Sequence, residues 1–298
     1  MRFIHLAAFV CVVASAWGQQ DNIVQLAKKL GANTLLQLAT EAGLADTLAN
    51  KGPFTVFGPT DEAFSKLPKD VLRILQRNKQ LLADVLKYHV VSGTTYSSQL
   101  TNELLAPSLL ENEKIRFNIY QNGKVITAEG SPVIMADQNA TNGVIHVVNR
   151  VLFPIPRGNV AEVVSRQPDL KTLLTAVTAA GLAQTLSGAG PFTVFAPTDE
   201  AFKKLPPGTL DKLLANKTAL TDVLTYHVIA ATEFSAGLAN GETAPTVEGK
   251  NVEIKISDAG VMVNNARVLR ADEACTNGVV HVIDSVLLPP SYTDANRT

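Results

Sequence analysis

Cysteine is nearly missing: the 298 residues hold two, Cys11 and Cys275. That excludes the disulfide framework that holds many small extracellular domains. Tryptophan occurs once, as Trp17. An excess of either charge is also lacking, since 26 Lys and Arg face 27 Asp and Glu for a formal net charge of −1. Such a balance gives no field that gathers nucleic acid or anionic lipid. The apolar run Leu6–Ala16, behind Arg2, ends in small residues and falls short of the roughly 20 residues of a membrane helix. It reads as a secretory signal peptide over residues 1–18, with cleavage after Gly18 preferred to cleavage after Ala16. The polar tail Pro289–Thr298 lacks the hydrophobic stretch of a lipid-anchor signal, so no membrane anchor is expected. Without the leader, four histidines and one cysteine remain. They offer no set of three or four converging ligands, and neither metal nor cofactor is expected. Gly-x-Ser-x-Gly, His-Glu-x-x-His and phosphate-loop motifs are absent, so the chain reads as a non-enzyme.

What the sequence does hold is a domain-sized repeat. Thr55-Val-Phe-Gly-Pro-Thr-Asp-Glu-Ala-Phe64 returns 138 residues later as Thr193-Val-Phe-Ala-Pro-Thr-Asp-Glu-Ala-Phe202, with nine of ten positions identical. Ala42–Leu48 and Tyr88-His89-Val90 return at the same shift, as Ala180–Leu186 and Tyr226-His227-Val228. Asn142-Gly-Val-Ile-His146 returns as Asn277-Gly-Val-Val-His281 at a shift of 135, so the second copy has lost a net three residues in between. Units of this length are whole domains rather than solenoid repeats, and each is large enough for its own core. The expected division is a first domain over 19–155, a second over 156–290 and a tail over 291–298. The junction Phe153-Pro-Ile-Pro-Arg-Gly158 reads as a short, proline-stiffened spacer.

Within each copy the periodicity changes once. In the first, Ile23, Leu26, Ala27 and Leu30 form a helical stripe closed by Gly31; Leu35, Leu38 and Ala39 form another. Thr55–Phe64 reads as a strand stopped by Pro59, then a short helix capped by Thr60 with Asp61 and Glu62 in its first turn. Two more helices follow, around Val71–Leu75 and Leu81–Leu86. From Ile115 the period becomes two, with a hairpin turn at Gln121-Asn-Gly-Lys124 and strands at Val133–Met135 and Val144–Val148. Helices first and antiparallel strands after specify an α+β fold.

The two boxes, Thr55–Phe64 and Asn142–Pro154, recur as Thr193–Phe202 and Asn277–Pro289, with a Tyr-His pair between them in each copy. In this the chain resembles the fasciclin domain family. The resemblance implies an antiparallel β wedge with helices on one side, twice in tandem. It also implies extracellular adhesion or matrix association, with cell-surface or matrix proteins, integrin-like receptors or glycans as partners.

The resemblance further places Tyr88, His89, Tyr226 and His227, together with Asp137 and Asp272, among residues linked to receptor recognition. Here Gln138 and Glu273 stand where that pattern has isoleucine, and no Arg-Gly-Asp occurs. Read from their apolar flanks, the Tyr-His pairs are instead core residues satisfied by internal hydrogen bonds, and this reading is preferred to the receptor surface. His146 and His281, among valines, are expected to bond to Thr60 or Asp61 and to Thr198 or Asp199, joining the boxes. Asn139-Ala-Thr141 and Asn216-Lys-Thr218 are glycosylation sequons, and Asn296-Arg-Thr298 is a terminal third. Cys275 is a free thiol. By repeat symmetry it shares the loop of Asn139, where exposure allows a disulfide-linked dimer and burial leaves it an inert apolar group. The combined reading is a secreted binding protein, with a soluble carrier or receptor for a small apolar or glycan ligand as the alternative.

Overall fold

The computed structural model of the chain describes residues 20–154 and 158–294. The expected leader, residues 155–157 of the proline-rich junction and the terminal sequon lie outside the described residues.

The first domain opens with α1 (Ile23–Lys29), α2 (Asn33–Glu41) and α3 (Ala45–Asn50), followed by β1 (Phe54–Pro59). Then come α4 (Asp61–Ser65), α5 (Lys69–Arg77), α6 (Lys79–Tyr88) and β2 (Val90–Ser92). It closes with β3 (Leu104–Pro107), β4 (Lys114–Tyr120), β5 (Val125–Ala128), β6 (Ser131–Ala140) and β7 (Gly143–Val148). The second domain runs α7 (Val160–Arg166), α8 (Lys171–Ala180), α9 (Ala183–Leu186), β8 (Phe192–Pro197), α10 (Asp199–Lys203), α11 (Thr209–Ala215) and α12 (Lys217–Tyr226). It continues with β9 (Val228–Ile229), β10 (Thr243–Pro245), β11 (Asn251–Ser257), β12 (Gly260–Val263), β13 (Ala266–Cys275), β14 (Gly278–Ile283) and α13 (Pro290–Asp294).

Both sheets have seven strands in one order: β2-β1-β7-β6-β5-β4-β3 is matched by β9-β8-β14-β13-β12-β11-β10. The sheets are mixed, because the two boxes of each domain pair in parallel, Phe54 against Gly143 and Phe192 against Gly278 at the leading end. The other pairs are antiparallel. A bridge from Val91 to Ser108 brings the two edges of the first sheet together, so the wedge is nearly closed. The three lost residues fall in two turns. Four residues join Tyr120 to Val125, where two join Ser257 to Gly260. The β3–β4 turn between Pro107 and Lys114 is one residue longer than its counterpart between Pro245 and Asn251.

β1 is buried along its whole length because both of its faces meet apolar layers. Phe54 and Val56 pack on the helices with Leu35, Leu38, Leu82 and Ile145, while Phe57 packs inside the wedge with Ile115, Phe117 and Val148. Alternation therefore separates two cores rather than core from water. Asn142 locks the helical layer to the sheet: its Oδ1 accepts from Ile23 N at 2.9 Å, and its Nδ2 donates to the carbonyls of Leu48 and Lys51 at 2.8 and 2.7 Å.

Candidate functional site

The Tyr-His pairs end α6 and α12, and all four side chains are at most 2% exposed. His89 Nδ1 donates to the Val85 carbonyl one turn back at 2.7 Å, and its Nε2 accepts from Leu152 N at 2.8 Å. One neutral ring thus caps a helix end and holds the chain leaving β7. His227 repeats this with Val223 and Leu287 at 2.7 and 2.9 Å. Burial pulls both imidazoles down to about 4. Tyr88 Oη donates to the Lys114 carbonyl at 2.9 Å and Tyr226 Oη to that of Asn251 at 3.0 Å. The receptor-facing expectation for Tyr88, His89, Tyr226 and His227 is thereby corrected: each polar atom is spent on an internal bond that fixes the wedge.

His146 and His281 are also buried, but their expected partners are not the ones they meet. His146 Nδ1 accepts from Asp137 N at 3.2 Å and its Nε2 donates to the Thr95 carbonyl at 2.9 Å. In the second copy the partners are Asp272 N and the Glu233 carbonyl, at 3.2 and 2.8 Å. Burial lowers the pKa of both rings, so each is neutral with its proton on Nε2. Thr60 and Thr198 instead cap their own helices, accepting from Ala63 N and Ala201 N, both at 3.1 Å. Asp61 and Asp199 accept from Thr34 N and Thr172 N at 2.7 Å, tying the box to the preceding helix. These four side chains face the helical layer, on the opposite side of β1 and β8 from the histidines.

Asp137 and Asp272 sit on bulges in β6 and β13, at φ of 58° and 64°. Aspartate tolerates this left-handed geometry because its short side chain can bond locally. Each clamps a serine of the facing loop. Asp137 accepts from Ser97 N and Oγ at 2.7 and 2.5 Å, and Asp272 from Ser235 N and Oγ at the same distances. Asp272 also receives Arg150 of the first domain at 2.7 Å, which withdraws it from any outside partner. Asp137 has no such cover, and its side chain is 38% exposed.

Cys275 is 0% exposed, and burial pushes its thiol up to about 12. The disulfide-linked dimer is therefore corrected as well. Asn139 is exposed, but neighbouring residues of a strand point to opposite faces. Its openness thus implies that Ala140, and Cys275 with it, turn inward. Asn216 is exposed at the N-cap of α12, its Oδ1 accepting from Ala219 N at 3.1 Å.

The residues that the sequence reading missed lie along the seam between the domains. Arg116 is 5% exposed and pairs with Glu103 at 2.5 Å, while its Nη2 donates to the Thr276 carbonyl across the seam at 2.8 Å. Glu103 Oε1 accepts from Thr232 N at 3.0 Å. Tyr120 Oη donates to the Thr232 carbonyl at 2.8 Å and accepts from Phe234 N at 3.1 Å. Phe234, 1% exposed, lies against Gly130, where a β-carbon would come within 2.4 Å of its ring. The signal was present: Arg116, Asn118 and Tyr120 align with the exposed Glu253, Lys255 and Ser257 of the second copy. Phe234→Ala is expected to remove about 3 kcal/mol from this seam. Calorimetry should then resolve two melting transitions where the parent shows one, and an unchanged single transition rejects the coupling.

Among the described residues, no group of three or more His, Cys, Asp or Glu is placed to hold a metal ion. No described helix is long and apolar enough to cross a membrane.

Comparison with known proteins gives these features a family. The chain is 33% identical to human periostin over 264 residues, covering 88% of this chain and 31% of periostin. It is 39% identical to the immunogenic protein MPB70 of Mycobacterium bovis over 137 residues, covering 44% of this chain and 69% of that protein. The chain thus spans about a third of the length of its long human relative. A solved FAS1 domain pair from the insect cell adhesion molecule fasciclin I aligns at a TM-score of 0.44 and 20% identity, over 88% of this chain and 99% of that one. The fasciclin domain model matches residues 30–154 and again 168–289, and the chain belongs to the fasciclin domain family.

Proposed function

We propose that the protein is secreted and works without catalysis, in cell adhesion or extracellular-matrix association, through cell-surface or matrix partners. The observation that carries this reading is an apolar residue held out to solvent at the same place in both copies. Ile134 and Leu269 occupy equivalent positions on β6 and β13 and are 50% and 51% exposed. Met135 beside the first is 40% exposed. Bulges turn these residues outward, and apolar groups presented this way suit a protein partner. Two such sites on one chain would add their affinities through effective concentration.

The test is cell attachment to a surface coated with the protein. The double variant Ile134→Asp, Leu269→Asp should keep its melting temperature, since exposed substitutions cost within about 0.5 kcal/mol. It should lose most of the attachment that the parent supports. Attachment equal to the parent's would reject these residues as the contact.

A second reading, the carrier, is favoured by one observation. A cleft of about 430 Å³ at the seam is lined by Arg150, Arg166, Gln167, Glu273 and Phe153, a mixture suited to a glycan. The apolar cavity of the second domain, between Leu173, Leu186, Phe192 and Leu224, is only about 60 Å³, well below the roughly 300 Å³ of a typical ligand pocket. Saturable heat on titration with an oligosaccharide, lost in Arg166→Ala, would favour the carrier.

A further inference from the structure

The face that the second domain presses against the first has an open twin. Thr232, Phe234, Gly237, Asp272 and Ala274 align with Thr94, Tyr96, Gln99, Asp137 and Asn139 of the first domain. The docked copy is dry and the open copy is wet at three of these positions. Phe234 is 1% exposed, whereas Tyr96 is 39% exposed and carries a hydroxyl. A β-carbon on Gly237 would lie 2.4 Å from the Tyr120 ring, so Gln99 at the twin position bars an equivalent tyrosine. Ala274 lines the seam, whereas Asn139 is exposed. A second copy of the chain does not fit this face either. Its outer surface carries Gly241, Glu253 and Ser257 where the docking residues are Glu103, Arg116 and Tyr120.

Asn139 opens the sequon Asn139-Ala-Thr141, and its Oδ1 already accepts from the Tyr96 hydroxyl at 3.0 Å. That bond engages Oδ1 and leaves Nδ2 as the amide atom without a hydrogen bond among the described residues. We propose that Asn139 carries an N-linked glycan whose first sugar packs against Tyr96 and caps the open face. In the transfer, Nδ2 displaces a lipid pyrophosphate from C1 of the donor sugar. The Nδ2–C1 bond forms as the C1–O bond breaks, the electron pair leaves on the pyrophosphate oxygen, and the one proton lost from Nδ2 passes to water. Oδ1 is untouched, so the Tyr96 bond survives the reaction. The C–H face of the sugar then meets the electron-rich face of the ring, and the bulky, solvated remainder keeps other domains away.

This inference rests on the secretory reading, and Asn216 separates the two. The full chain is secreted from a eukaryotic cell, and its peptides are weighed for carbohydrate at Asn139 and Asn216. Thr141→Ala, which removes the sequon but keeps Asn139 and its bond to Tyr96, serves as the bare reference. Tyrosine nitration is then compared between the two proteins. Glycan at Asn139, with Tyr96 nitrated several-fold more slowly than in Thr141→Ala, is the expected result. Carbohydrate on Asn216 and none on Asn139 overturns the cap and leaves secretion standing. Equal nitration of Tyr96 in both proteins overturns the packing. A dimer of the secreted parent that Tyr96→Ala dissolves makes a second copy the occupant and overturns the proposal. A chain retained in the cell and bare at both asparagines overturns it together with the secretory reading.

Discussion

Replacing Gly143 or Gly278 with alanine should unfold the domain that carries it. Both glycines stand second in the second box and open the strands β7 and β14, where the parallel pairing with β1 and β8 begins. Their φ values, 150° and 154°, lie where a side chain is strained. The larger effect is steric. A β-carbon at Gly143 would stand 1.9 Å from the Phe54 carbonyl oxygen, and one at Gly278 would stand 1.9 Å from that of Phe192. The obstacle is backbone in a central strand, so no rotamer change relieves it. The strands must part, and the bond from Phe54 N to the Asn142 carbonyl at 3.1 Å goes with them. A penalty beyond about 5 kcal/mol is expected, comparable with the whole stability of many domains. Gly43→Ala is the control, because it shares a positive φ of 72° but has no neighbour within 4 Å. Thermal melts should show a small loss for the control and no folded baseline for the mutated domain. Equal losses in the three variants would show that strain alone acts.

The difference between these glycines was not visible in the sequence, and other gaps have the same physical origin. Helices with a full apolar stripe, such as α1, α2 and α6, are legible because 3.6-residue periodicity survives without knowledge of the partner. The six-residue α3 and the edge strands β2 and β3 are too short to show a period. Strand β4 misleads in another way. Arg116 and Asn118 alternate with Ile115, Phe117 and Ile119 as a solvent face would, yet the seam covers them and both are at most 5% exposed. Alternation says which residues share a face, and a second domain decides what that face meets. His146 and His281 were legible as buried, but their partners were not. Asp137 and Asp272 reach them only because bulges shift the register of β6 and β13, and a strict period of two cannot foresee a bulge.

Mild acid should destabilise the protein through its four described histidines. His89, His146, His227 and His281 are all buried and neutral, with burial lowering the pKa of each. An unfolded imidazole takes up a proton near 6.5, whereas folded His89 and His227 resist until about 4. Between those values the unfolded chain binds more protons, so stability is full above 6.5 and is lost as pH falls toward 4. Each of these two rings accounts for about 3 kcal/mol over that window. Two carboxyls work the other way. Burial raises Glu129 and Glu233 to about 7, so the folded state holds their protons while the unfolded chain releases them near 4.5. Their contribution is present below 4.5 and lost as pH rises through 7, which offsets part of the histidine effect. Four imidazoles outweigh two carboxyls, and Glu233, the less buried of the pair, counts for less because solvent screens it. Melting temperatures taken between about pH 7 and pH 4.5 should therefore fall steadily. Glu129→Gln should steepen the fall by removing an opposing group. His89→Gln with His227→Gln, which keeps a donor and an acceptor at each site without a titrating ring, should flatten it. A parent curve that is level over this range, or a double variant that falls as steeply as the parent, would show that the buried imidazoles do not set acid stability.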